Sequence, residues 1–265
     1  MPTLNSLLIA AKKSADKRLE LLVLLSALAG LLTSIFYRPA VDVVNAIMAT
    51  LSASNAAETE YKEAITILTD NLRTIIFGQV ALIAIAGFLL PLWARASAPG
   101  DLIPNQGGIP AFLSRGFRAF KYQLAATGLT IASFAIVAPI TAVLSQILGS
   151  LALAAGGILI LWLSFAWSAT ANAAIMLSVN DQPITFRSAW SYTRIFIRPL
   201  AGAYAALWLI AGIVNLLLSN LATQSLSMDI ATPLTLVISG ALTYCATALH
   251  LSSLFVLPET LDRTH

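Results

Sequence analysis

Few residues in this 265-residue chain could carry chemistry. There are two histidines, His250 and His265, and metal sites draw on three or four ligands. His250 stands in an apolar stretch with no carboxylate or second histidine near it in sequence, the setting of a hydrogen-bonded structural histidine. Ser239-Gly240 precedes it in the same stretch, and a serine–histidine dyad needs its hydroxyl and imidazole within hydrogen-bond reach. Eleven residues along one helix separate two groups by about 16 Å, and Ser252 and Ser253 stand at offsets that do not face His250. Dyad chemistry therefore fails on geometry. The single cysteine, Cys245, also lies among apolar residues and reads as a small buried hydrophobe. What remains polar is Gln79, Gln146, Asn172, Asn215 and Asn220, with many serines and threonines. Such groups most often join helices by hydrogen bonds worth about 0.6 kcal/mol each inside a membrane. Ser168, Ala169, Asn172 and Ala173 place small and polar residues four apart, which suits close helix contact. The residues call for no cofactor and supply no catalytic set, so a non-enzyme is expected.

The elements that must position these residues follow from hydropathy. Hydrophobic residues make up 58% of the chain and charged residues 10%, against roughly 25% charged in a soluble domain. Lipid tails solvate apolar side chains directly, so a bilayer removes the need for a charged surface. A crossing takes about 20 apolar residues, because each helical residue rises about 1.5 Å through a core about 30 Å thick. Leu21 to Tyr37 and Thr74 to Ala94 carry no charge. Tyr122 to Asn180 carries none either, and its length predicts two helices turning near Gly149-Ser150. Between Arg198 and Glu259 only Asp229 is charged, again predicting two. The fold expected is an all-α bundle of six spans, near 19–37, 74–94, 122–145, 151–179, 199–219 and 233–257. Pro91 and Pro139 are candidate kinks. The loop 38–73 reads as a solvated extension of the first two spans.

Orientation follows from the basic residues. Lys12, Lys13, Lys17, Arg18, Arg95, Arg115, Arg118, Lys121, Arg187, Arg194, Arg198 and Arg263 fall on one side of this topology; only Arg38, Lys62 and Arg73 fall on the other. The N- and C-termini are thus expected in the cytoplasm. Scattered between spans rather than gathered on one domain, these cations do not suit nucleic acid. The basic start and Ala27-Leu28-Ala29 resemble a cleavable signal, but the apolar run continues to Phe36 as an anchor's would.

Two basic segments, 110–121 and 183–198, align at a shift of 73 residues over 110–121 and 183–194, with Pro110 on Pro183, Phe117 on Trp190 and Lys121 on Arg194. Each follows an inward span and precedes an outward one, so spans 2–3 and 4–5 read as parallel repeats. Phe112, Phe117 and Phe120 share a face in the first; Phe186 and Trp190 share one in the second. Arg115, Arg118 and Lys121, then Arg187, Arg194 and Arg198, lie opposite. Asp181 is placed to cap the second helix ahead of Pro183. Both read as amphipathic helices in the cytoplasmic interface, aromatics toward acyl chains and cations toward headgroups. They serve either as topology signals and linkers or as sites for anionic lipid.

The basic N-terminal segment, the extended first external loop and Phe186-Arg-Ser-Ala-Trp-Ser-Tyr-Thr-Arg194 leading into span 5 together resemble the YciC-like family of six-helix bacterial inner-membrane proteins. More loosely the layout is similar to the membrane domain of some glycerophosphodiester phosphodiesterases. The resemblance implies a bacterial inner-membrane protein of envelope homeostasis, with lipids and a possible membrane-protein partner, and supplies no catalytic residues. The alternative is a transporter or permease subunit. The predicted spans lack the midplane carboxylates of ion-coupled carriers, which leaves a neutral or uncoupled solute.

Overall fold

Long uninterrupted apolar runs have one way to satisfy their backbone in lipid, which is to be helical throughout. The computed structural model describes residues 3–52, 58–98, 108–178 and 184–256, and among these it contains helices and no strand. The helices are α1 (Leu4–Lys17), α2 (Leu19–Ser52), α3 (Glu58–Asp70), α4 (Leu72–Ser97), α5 (Ile109–Leu148), α6 (Ser150–Leu177), α7 (Phe186–Thr193), α8 (Ile197–Ser225) and α9 (Met228–Ser253). Six are long and apolar enough to cross a membrane, α7 and α8 counting as one. The chain is an all-α polytopic bundle.

Neighbouring spans follow the order α2, α4, α5, α6, α8, α9 and back to α2, closing a ring. Short connections force antiparallel neighbours. The sharpest is Gly149, the one residue between α5 and α6, whose φ of +60° is cheap only without a Cβ; the turn expected near Gly149-Ser150 is there. Close approach of α4 to α5 depends on Gly87, where an added Cβ would lie 2.8 Å from the Phe120 Cα.

Burial is concentrated at the end of the ring where α2 and α8 begin and α4, α6 and α9 finish. Leu22, Leu90, Trp93, Ala119, Ile175, Ala189 and Leu251 belong to one core there, and Leu7, Ala173, Phe196, Leu200 and Leu254 to a second. The cations of α1, α5, α7 and the start of α8 stand at this same end, called the basic end below. At the opposite end apolar side chains face outward, Ile147 being 80% exposed and Leu151 75%. Such exposure is costly in water and costless against acyl chains.

The loop 38–73 is helical where it is described. α2 has 34 residues, about 51 Å of helix against about 30 Å of hydrocarbon. Its last turns pair with α3.

Two features differ from expectation. Segment 110–121 is not a separate interfacial helix but the first three turns of the 40-residue α5. Nothing breaks the helix there: Pro110 sits in the first turn, where its missing N–H costs nothing, and the next proline is Pro139. Segment 183–198 does form a separate helix, α7, but it starts at Phe186, and Thr185 is its cap, accepting from the Ser188 amide at 3.0 Å. Asp181 and Pro183 lie outside the described residues. α7 ends in a 3₁₀ turn, Arg194–Phe196, because Pro199 cannot donate to the carbonyl four residues back.

Candidate functional site

α1 is the element the apolar runs did not reveal, although its capping signal is local. The Thr3 hydroxyl accepts from the Ser6 amide at 3.2 Å, and the Ser6 hydroxyl accepts from the Thr3 amide at 3.0 Å, a reciprocal cap. Leu7 and Ala11, one turn apart, are buried against α8 and α9, while Lys12, Lys13 and Lys17 are exposed. α1 thus closes the bundle's basic end and turns its charges outward.

Of the predicted headgroup ligands, Lys121, Arg187, Arg194 and Arg198 are exposed, and Arg115 and Arg118 are half-buried. The aromatics predicted to face acyl chains divide. Phe117 is 56% exposed, but Phe112 and Phe120 are half-buried on α4, Phe112 lying 6.0 Å from the Phe88 ring. Phe186 and Trp190 are half-buried too, and the Trp190 ring stands 4.8 Å from Trp167 of α6. Their face is turned inward because Ala189 and Thr193, fully buried, let α7 lie directly on α6. The shared theme of the two segments is an aromatic set against the preceding span: Phe117 on Phe88, Trp190 on Trp167.

Inside the basic end the structure brings together polar groups from four helices. Asn172 of α6 is fully buried and its Nδ2 lies 3.1 Å from His250 Nδ1. His250 Nε2 lies 3.1 Å from the Leu200 carbonyl oxygen on α8. A carbonyl only accepts, so Nε2 carries the proton and Nδ1 accepts from Asn172. The Asn172 Oδ1 in turn accepts from Gln123 Nε2 of α5 at 3.2 Å. Every polar atom of the imidazole is satisfied, the arrangement of a neutral structural histidine. Neither serine hydroxyl addresses it: Ser252 Oγ bonds Trp93 and the Ala248 carbonyl, and Ser253 Oγ donates to the His250 backbone carbonyl. Asn215 takes no part. It sits toward the opposite end of α8, and its Oδ1 is 3.5 Å from Ser219 on the same helix.

Around this chain lie further ties. Trp93 Nε1 donates to the Ala248 carbonyl at 2.7 Å and to Ser252 Oγ at 2.6 Å; the Tyr244 hydroxyl donates to the Leu89 carbonyl at 3.0 Å. The Tyr122 hydroxyl donates to the Ile184 carbonyl at 2.5 Å, pinning the residues ahead of α7 to α5. Tyr204 pairs with Thr247 at 3.1 Å, meets Phe165 and Trp208 edge-on and lies tilted against His250.

That aromatic group floors three cavities on the side away from the basic end. One of about 330 Å³ lies between α2, α4 and α9; one of about 380 Å³ lies between α5, α6 and α8; a cleft of about 490 Å³ runs between α6 and α8. Trp208 lines all three. Sequence reading passed over Gln123, Tyr204 and Trp208, which carry no signal apart from their partners.

Fold and site together define a multi-pass integral membrane protein whose basic end is a densely packed, hydrogen-bonded plug. No protein-family model matches the chain, and no curated protein or solved structure is significantly similar to it.

Proposed function

We propose that this is a non-enzymatic protein of the bacterial inner membrane, YciC-like in layout, that acts in envelope homeostasis through lipid contact, with both termini cytoplasmic. The observation that carries the reading is the crowd of exposed cations (Lys12, Lys13, Lys17, Arg18, Lys121, Arg187, Arg194 and Arg198) at the bundle's most densely packed end. Cations fixed at headgroup level contribute about 1 kcal/mol each toward anionic lipid. The positive-inside rule places that end in the cytoplasm.

Replacing Lys121, Arg187, Arg194 and Arg198 by glutamine tests this, since all four are exposed and leave the core alone. Purified from membranes containing phosphatidylglycerol and analysed by native mass spectrometry, the wild type should retain anionic lipid and the variant should lose most of it. Equal retention by the two would sink the reading. Cysteines introduced at Ser14 and Thr66 test orientation: an impermeant maleimide on intact cells should label the second and not the first.

A permease subunit for a neutral solute is the second reading, favoured by the cavities. Against it, the ring is closed at the basic end by Leu90, Trp93 and Leu251, all fully buried.

A further inference from the structure

The cleft between α6 and α8 has walls that face outward: Leu161 is 59% exposed, Leu209 66% and Leu216 63%. Both helices are spans, so the cleft opens sideways to acyl chains rather than to water. Behind it, Leu161, Phe165 and Trp208 are shared with the chamber between α5, α6 and α8. The far wall of that chamber is different in kind. Gln123, Thr127, Thr130, Ser164, Ser168 and Tyr204 line it, with no charged residue among them. The Trp208 indole N–H is buried at this junction without a hydrogen-bond partner. Trp208 lies eleven residues into α8, about 16 Å from that helix's start, close to the middle of a core about 30 Å thick.

A cleft open to the bilayer, set against an uncharged chamber with an unpartnered N–H at their shared wall, fits one chemistry. We propose that the chamber binds the head of an uncharged, single-tailed lipid, an oxygen of that head accepting from Trp208 Nε1, while the tail lies in the cleft between α6 and α8. A charged head is disfavoured because nothing in the chamber pairs with it. A head without oxygen would leave the indole N–H unserved. Each space falls within the about 300–1,000 Å³ usual for small-molecule pockets. None of the basic-end cations lines the chamber, so this site does not depend on the headgroup reading.

The test uses the full chain in phosphatidylcholine vesicles, without anionic lipid, and a monoacylglycerol carrying a mid-chain diazirine. After irradiation, labelled peptides are mapped by mass spectrometry. Label should concentrate on the peptides holding Phe165 and Trp208, and excess unlabelled monoacylglycerol should displace it. The anionic fatty-acid analogue should label them several-fold less. Gly212→Phe blocks the cleft without disturbing the core, since a Cβ there meets nothing within 4 Å, and should abolish the displaceable label. Trp208→Phe should weaken competition by about fivefold, the factor one net hydrogen bond represents. Both variants are compared with wild type by size-exclusion profile, so that unfolding is scored separately. Label spread evenly over outward residues such as Ile35 and Ile136 overturns the proposal, as does equal labelling by the fatty-acid analogue or in a well-folded Gly212→Phe. Neutralising the four basic-end cations should leave the labelling unchanged, so the two ideas fail independently.

Discussion

Replacing Asn172 by leucine removes the centre of the buried chain that joins α5, α6, α8 and α9. Two interhelical hydrogen bonds disappear, to Gln123 at 3.2 Å and to His250 at 3.1 Å. At the membrane average of about 0.6 kcal/mol each, that sets a floor of about 1.2 kcal/mol. His250 is fully buried, so its Nδ1 has no water to turn to, and an orphaned buried acceptor adds about 1–3 kcal/mol. The expected loss is about 2–4 kcal/mol. Asn215→Leu is the control: that residue bonds only within its own helix at 3.5 Å and should cost about 0.5 kcal/mol or less, as changes away from such features do. Reversible unfolding in mixed micelles, or steric trapping in bicelles, gives both values. A double-mutant cycle with His250→Leu isolates the pair and should return a coupling of about 0.6–1.7 kcal/mol. The reasoning is refuted if Asn172→Leu unfolds with the wild type, if Asn215→Leu is equally damaging, or if the cycle shows no coupling.

Other outcomes follow from the same contacts. Gly87→Leu must push Phe120 off α4, and overpacking of this kind costs about 1–3 kcal/mol; a lower midpoint in a detergent thermal-shift assay checks it. Trp93→Phe removes the indole donor shared by the Ala248 carbonyl and Ser252 Oγ, lowering stability by about 1 kcal/mol, whereas Trp162→Phe, 37% exposed, should be neutral in the same assay. Leu7→Ala should free α1 first, since Leu7 is its principal buried anchor, and the readout is faster trypsin cleavage at Lys12, Lys13 or Lys17 with the spans still protected.

Much of this molecule was legible in its sequence because the decisive properties are local. Charge-free runs of 17 residues or more bounded by charged residues fixed the number of spans, since lipid accepts only a helix there. Gly149 marked the turn between α5 and α6 because a single linking residue at positive φ needs glycine. The side-by-side grouping of basic residues came from alternation of the chain through the bilayer, and the structure keeps those it describes at one end.

What the sequence did not determine is which face of each helix looks inward. In water an apolar stripe against a polar one answers that, but in lipid both faces of a span are apolar, so periodicity carries little rotational information. Phe112, Phe120, Phe186 and Trp190 therefore read as lipid-facing when alone and proved to lie on α4 and α6 once the ring closed. The meeting of Gln123, Asn172 and His250, and the junction of three cavities on Trp208, depend on the order of six helices and their rotation about their axes. The sequence settled that the chain crosses a membrane and where its charges lie; only the packed bundle decided which polar groups meet, because those contacts join residues 49 and 78 positions apart.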